Sequence, residues 1–373
     1  MKIYFPNENT NIKFFKTYRH HELLFIYGFH NFQFSSNIDE CLLIPVCAAD
    51  TEFVLPIISQ VKNIRNKIIL ICQETHASEG DDIDTCYRIT KQYQEICDNV
   101  YYVTINYGVN TYNTVIFNDY CFNRNKAYFT EYDKFDMSDR LWTNWTDDTS
   151  FRLNPIKKID NACKKFLIPN NCYHIQDYEL HTYRYLARIL LKNFCNEIDC
   201  FYSLPQEGII LDPEGGHELL HLRLKEKSHG TGFIPIANHY YENSIISAYG
   251  ETIVESRCGT RVISEKTFNP LIKGHFILPI GYAGLIRDLQ EIYGFVFPNW
   301  IDYSYDKFVD TEKRFSRYLE SLNKIRNTPI EELVNLRNRD IAILEHNRSI
   351  FYSRPYHSLY NSLLNEFSKA GMM

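Results

Sequence analysis

Three short apolar runs in the first third of the chain constrain it most: "CLLIPVCAAD", "KIILICQ" and "VYYVTIN". Each has strand length, and none alternates cleanly with polar residues. Strands of that kind are buried on both faces. Between them lie "TEFVLPIISQVKNI" and the stretch from Asp82 to Cys97, both with helical spacing of apolar residues. "NTVIFND" reads as a further strand. Strand, helix, strand, helix, strand predicts a parallel sheet with helices on both faces. This half ends near "LWTNWTDDTSFRLNP", which reads as a linker.

A second alternation follows. "KKFLIPN" reads as a strand, "YELHTYRYLARILLKNF" as a long helix and "CFYSLP" as a strand. "TGFIPIA" and "NSIISAYGE" follow, then the helix "EKTFNPLIKG", the strand "HFILPIG" and the helix "AGLIRDLQEIYG". From about Tyr305 the spacing is helical almost to the end. No repeat of fixed period is evident. The expected architecture is α/β: two Rossmann-like domains facing a cleft, over residues 1–158 and 159–325. Helices over 326–373 are expected to pack back toward the first domain. Sheets of this kind bind ligands beyond the carboxyl ends of their strands.

Composition narrows the partners. The 373 residues carry a formal net charge of -6, which disfavours a protein coated in nucleic acid. Lys157, Lys158, Lys164 and Lys165 could line a duplex, although a solvated charged stretch has the same look. The opening "MKIYFPNENTN" is too polar for a signal peptide, and no apolar run is long enough to span a bilayer. The 11 cysteines include no C-x-x-C pair, which reads as free thiols in a reducing compartment. The expected location is cytoplasmic. With 28 Tyr, 25 Phe and much Asn, Ile and Lys, the chain reads as the product of an AT-rich genome. A viral genome of that kind would place it in a host's cytoplasm.

"GGHELLHLRL" contains H-E-x-x-H, the zinc-peptidase signature. On a helix, His217 and His221 would sit one turn apart, with Glu218 as base. A third ligand would come from His229, His239, Glu242 or Glu251. Leu219, Leu220, Leu222 and Leu224 give the competing reading, a packed amphipathic helix.

"SEKTF" has a different chemistry. Ser264 is a good N-cap, which places Glu265 and Lys266 in the first turn of a helix. Such a turn offers backbone N–H groups and positive potential to an anion. Lys266 would add a formal charge for a diphosphate, and Glu265 could accept hydrogen bonds from vicinal ribose hydroxyls. A pair that merely decorates a helix start has the same sequence.

"ISEKTFNPLIKGHFILPIG" resembles the donor-binding segment of α1,3-fucosyltransferases and their phage and giant-virus relatives. "YGFVFPNWIDYSYD", the pair Glu251 and Thr252, and "FNDYCFNRNKAYF" are similar to segments of the viral relatives. "KKFLIPNNC" with Arg184 is similar to the strand and Arg-bearing helix that open the family's donor domain. The likeness runs in blocks from Lys164 to Leu322 and is dense from Tyr240 to Asp306. It implies the GT-B fold, with an N-terminal acceptor domain and a C-terminal nucleotide-sugar domain. It implies donor contacts at Glu265 and Lys266, with Arg184, Glu251, Ser264, Thr267 and Asn170 around them. Asn269 stands where relatives often have Lys, and Tyr249-Gly250 where they often have Val-Ser, so the donor sugar does not carry over.

A glycosyl transfer that inverts the anomeric centre needs a base for the acceptor proton. Glu74 in "CQETH" is the first candidate, with Asp50, His76 and Asp119 at other strand ends. Asp50 also suits a helix N-cap, and Asp119 a turn. The expected activity is transfer from a nucleotide-sugar to an acceptor hydroxyl, with no metal and no bound cofactor. The "DDID" run suits a solvated helix start better than a metal site. The acceptor would be a glycan or, alternatively, a hydroxylated or hydroxymethylated base of phage DNA. Two competing readings stand beside transfer: a zinc peptidase acting through HELLH, and a non-catalytic module that only binds a sugar nucleotide.

Overall fold

The computed structural model describes residues 2–4, 33–47, 51–72, 83–104, 114–116, 122, 155–161, 164–169, 182–203, 209–211, 217–219, 238–251, 254, 261–354 and 363. The chain divides into two compact units. One comprises Met1–Ala127, Arg257–Val262 and Pro355–Met373; the other comprises Tyr128–Ser256 and Ile263–Arg354.

The first unit holds β1 (Lys2–Tyr4), β2 (Gln33–Ser35), β3 (Leu43–Cys47), α1 (Thr51–Ile58), β4 (Ile68–Cys72), α2 (Ile83–Gln94), β5 (Asn99–Thr104) and β6 (Thr114–Ile116). The strands form one sheet in the order β2-β1-β3-β4-β5-β6, and every pairing is parallel. Leu43 lies beside Ile68, and Ile68 beside Asn99. On one face Ile44, Val46, Ile69 and Ile71 meet Val54 and Ile58 of α1 and Ile89 and Tyr93 of α2. Residues of the other face, Leu43, Ile68 and Leu70, are fully buried too. Burial of both faces explains why these runs show no polar alternation. The buried Lys67 ammonium donates to the carbonyls of Asp39 and Cys41, each at 2.6 Å. It pins the short turn Ile38–Glu40 against the start of β4.

The second unit runs β7 (Lys164–Pro169), α3 (Thr182–Phe194), β8 (Cys200–Ser203), β9 (Ile209–Leu211), β10 (His217–Leu219), α4 (Asn238–Glu242), β11 (Ser244–Gly250), α5 (Glu265–Ile272), β12 (Phe276–Ile280) and α6 (Leu285–Asp288). α6 continues as a π-helical turn, Leu289–Tyr293, closed by Gly294 at φ 81°. Three further helices follow: α7 (Thr311–Asn327), α8 (Ile330–Arg339) and α9 (Ile341–Ser353). The main sheet has the order β12-β11-β7-β8, all parallel. Phe166, Ile246 and Leu278 share one core with Leu322, Leu333 and Leu344 of α7, α8 and α9. Both units are therefore α/β with parallel sheets. No helix among the described residues is long and apolar enough to cross a membrane.

Tyrosines protect the edge strand β12. The hydroxyls of Tyr303, Tyr318 and Tyr305 donate to the carbonyls of Ile277, Leu278 and Pro279 at 2.8, 2.9 and 2.7 Å. An edge strand with unanswered carbonyls is a template for mispairing, and Tyr303 and Tyr305 answer the carbonyls of Ile277 and Pro279. Gly274, between α5 and β12, is glycine for two reasons. Its φ is +73°, and a Cβ there would come within 2.4 Å of Ile156 Cδ1.

The helix expected over HELLH does not begin at His217. His217, Glu218 and Leu219 are β10, paired antiparallel with β9. The sequence between them, "DPEGG", is rich in turn formers, which suits a hairpin better than a helix entry. His217 therefore does not stand on the helix that the zinc-peptidase reading requires. His221 lies outside the described residues, as do "TGFIPIA" and "FNDYCFNRNKAYF" apart from Phe122.

Candidate functional site at the carboxyl edge of the second sheet

From β7 the chain steps to β8 on one side, and β11 pairs on the other. The strand order reverses there, which is where sheets of this class place their ligands. α3 and α5 start on the carboxyl side of this sheet, following β7 and β11.

α5 opens as the sequence predicts. Ser264 is extended, at φ -93° and ψ 176°, and its Oγ accepts from Lys266 N at 3.3 Å. Beneath it lies Glu251, the residue after β11, fully buried. Its backbone N–H extends the ladder to Ile280 O at 2.9 Å. Its carboxylate accepts from Ser264 N at 3.2 Å, from Ser264 Oγ at 2.6 Å and from the Thr267 hydroxyl. Tyr249 donates in turn to Thr267 Oγ1 at 2.9 Å. Burial raises the Tyr249 phenol well above its ordinary pKa, so it stays a donor. The buried Glu251 charge is met by hydrogen bonds and by the positive end of α5. Glu251, Ser264 and Thr267 thus hold one another, and they fix the start of α5, the turn that contains Glu265 and Lys266. Lys266 is half-buried; only the backbone of Glu265 is described.

Neighbouring groups make this edge rigid. A Cβ on Gly281 would come within 2.6 Å of Leu285 Cδ2 and 3.3 Å of Glu251 Cβ, so a larger residue would push on both neighbours. Ala187 of α3, one turn after Arg184, lies 3.5 Å from where a Cβ on Gly250 would be. The buried Arg314 donates to Phe308 O at 2.6 Å, to Val309 O at 3.1 Å and to Val254 O, tying the segment after Glu251 to α7. Asp306 Oδ2 accepts from Ile286 N at 3.1 Å and Arg287 N at 3.4 Å. Burial pushes its carboxyl up to about 6, against the pull of those two N–H groups. Beside it Asp288, also buried, accepts from Tyr282 OH at 3.0 Å and from Arg287 at 2.9 Å. Sequence reasoning passed over Asp288 and Arg314; "SYD" pointed at Asp306 only through the family resemblance.

Other expected residues fall elsewhere. Asp50, Glu74, His76, Asp119, Asn170, Thr252 and His229 lie outside the described residues, and of Arg184 only the backbone is described. His239 is exposed, with Asn243 Nδ2 3.0 Å from its Nδ1. Lys164 and Lys165 are engaged within the unit: Lys164 donates to the carbonyls of Glu197 and Ile198, and Lys165 pairs with Asp199 at 3.3 Å. Among the described residues no three His, Cys, Asp or Glu side chains gather as a metal site. No protein-family model, no curated protein and no solved structure matches the chain.

Proposed function

We propose that the chain is a GT-B glycosyltransferase that moves a sugar from a nucleotide-sugar to an acceptor hydroxyl, with the second unit as its donor domain. The observation that carries this reading is the Glu251–Ser264–Thr267 brace beside the reversal of strand order. It presents Glu265 and Lys266 at the start of α5, on the carboxyl side of the sheet. In this reading Lys266 faces the donor diphosphate and Glu265 the ribose hydroxyls. Arg184 adds a second cation, and Asn170, the residue after β7 in sequence, a polar contact. Glu251, Ser264 and Thr267 are positioning residues. The acceptor oxygen attacks the anomeric carbon and the nucleoside diphosphate departs. A carboxylate of the first unit, Glu74 before Asp50 or Asp119, takes the acceptor proton. Lys266 stabilises charge that grows on the leaving diphosphate, the role a metal ion has in other transferases. Transfer should therefore persist in excess chelator.

A thermal-shift screen against sugar nucleotides, followed by an assay for released nucleoside diphosphate, tests this. The expected result is one class of donor that raises Tm and is turned over without added metal. A folded protein that binds none of them overturns it. Stoichiometric zinc lost on His217→Ala would favour the peptidase instead.

A further inference from the structure

Two aromatic rings stand at the carboxyl edge of the second sheet, and the Glu251 brace makes no use of them. α3 and α7 lie side by side and run in the same direction. At their carboxyl-terminal ends Arg326 stacks on Phe194, 3.4 Å from the ring centroid, and donates to the Phe194 carbonyl. Near their amino-terminal ends Tyr183 meets Phe315, with ring centroids 6.5 Å apart and planes 18° from parallel. The two contacts are equally far apart along both helices, so the helices are in register. α3 begins after β7, and Arg314 of α7 reaches Val254 O, just beyond β11. Tyr183 and Phe315 therefore sit at the carboxyl edge, by the two strands between which the order reverses. Both rings pack on the core of the second unit with part of their surface left open. One turn further along each helix, Leu186 and Leu319 are exposed and continue the apolar strip. Tyr183 directly precedes Arg184, the second cation of the proposed donor site.

We propose that Tyr183 and Phe315 form the nucleobase subsite, holding the base of the nucleotide-sugar by stacking. The inference rests on the donor reading above and adds what grips the nucleoside. Lys266 and the start of α5 answer the charge of the diphosphate, which every nucleoside diphosphate shares with inorganic pyrophosphate. The base is the one part of a sugar nucleotide with a flat π face. Ring planes so nearly parallel let a single flat ring lie along both. Stacking of this kind tolerates any base, because every base has such a face. It supplies affinity for the nucleoside and leaves the choice among bases to hydrogen bonds.

The test titrates the full chain by calorimetry with ADP, GDP, CDP, UDP and dTDP, and with inorganic pyrophosphate. Wild type should bind at least one nucleoside diphosphate about tenfold or more tighter than pyrophosphate. Tyr183→Leu and Phe315→Leu keep an apolar side chain on the core and remove the flat face. Each should weaken that nucleoside diphosphate about tenfold and leave pyrophosphate unchanged, whereas Lys266→Ala weakens both. Phe315→Trp keeps a ring. Its fluorescence above the wild-type background should be quenched by the nucleoside diphosphate and not by pyrophosphate. Three results overturn the proposal and spare the donor reading. One is a nucleoside diphosphate held no tighter than pyrophosphate. Another is unchanged nucleotide affinity in both folded leucine variants. The third, which needs neither leucine variant to fold, is an unquenched Phe315→Trp signal at saturating nucleotide. Wild type that binds none of these probes overturns the donor reading and this proposal with it.

Discussion

The two sheets follow the same rule of construction and differ in what they bury. In the first, the described core is aliphatic and aromatic with two thiols, and its buried polar side chains are Thr51, Thr90 and Lys67, the last held by backbone carbonyls. In the second, Glu251, Ser264, Thr267, His275, Asp306 and Arg314 are all buried. Apolar strands suffice to fold a parallel sheet, and a buried charge costs stability unless its hydrogen bonds are complete. The polar groups of the second sheet are therefore better understood as holding a particular geometry. Most of them sit after β11 and β12, at the carboxyl edge.

That contrast can be broken by substitution. The largest effect is expected at Glu251→Ala, which strands Ser264 and Thr267 in the interior. It should cost about 3–5 kcal/mol in urea unfolding, because three buried donors lose their acceptor at once. Lys67→Met, the matching change in the first sheet, leaves two backbone carbonyls without their donor, and should cost about 1–3 kcal/mol. Equal losses at the two positions would erase the distinction.

A smaller effect concerns acid. Burial holds His275 neutral, its pKa lowered to about 3, between Ser247 Oγ at 2.7 Å and Ser244 O at 2.9 Å. The unfolded chain takes up that proton near pH 6.5, so His275 stabilises the fold above this value, and the contribution is lost as pH falls toward 3. Asp306 has the opposite sign. Its folded pKa is raised to about 6, so its contribution is present below the ordinary carboxylate value near 3.8 and is lost as pH rises through 6. Between pH 6 and 4 the two offset each other. Asp306→Asn should expose the His275 arm, with stability falling on acidification by up to about 1.4 kcal/mol per pH unit relative to wild type. Tm measured from pH 7 to 4 checks this; parallel curves for wild type and variant would contradict it.

The strands with uninterrupted apolar runs, from β3 to β5 and from β7 to β12 except the hairpin, were legible because burial on both faces leaves that mark. β1 and β2 were not, being three-residue strands set by pairing rather than by a run. The hairpin was misread because "HELLH" fits a 3.6 period as well as a strand, and its partner "IIL" lies beyond a five-residue turn. The Ser264 cap was legible because capping is local chemistry. The brace under it was not: Glu251 meets Ser264 across 13 positions, a separation that no local pattern links. For Asp306, Arg314 and His275, charged or polar letters read as surface until tertiary packing buries them.

The central claim is that the brace presents Lys266 to a donor diphosphate. Calorimetry of the sugar nucleotide found by screening, with wild type and Lys266→Ala, tests it most directly. The account predicts an unchanged Tm and an affinity reduced about ten- to a hundredfold, a loss of about 1.5–3 kcal/mol. Equal affinity in a folded Lys266→Ala protein would contradict it.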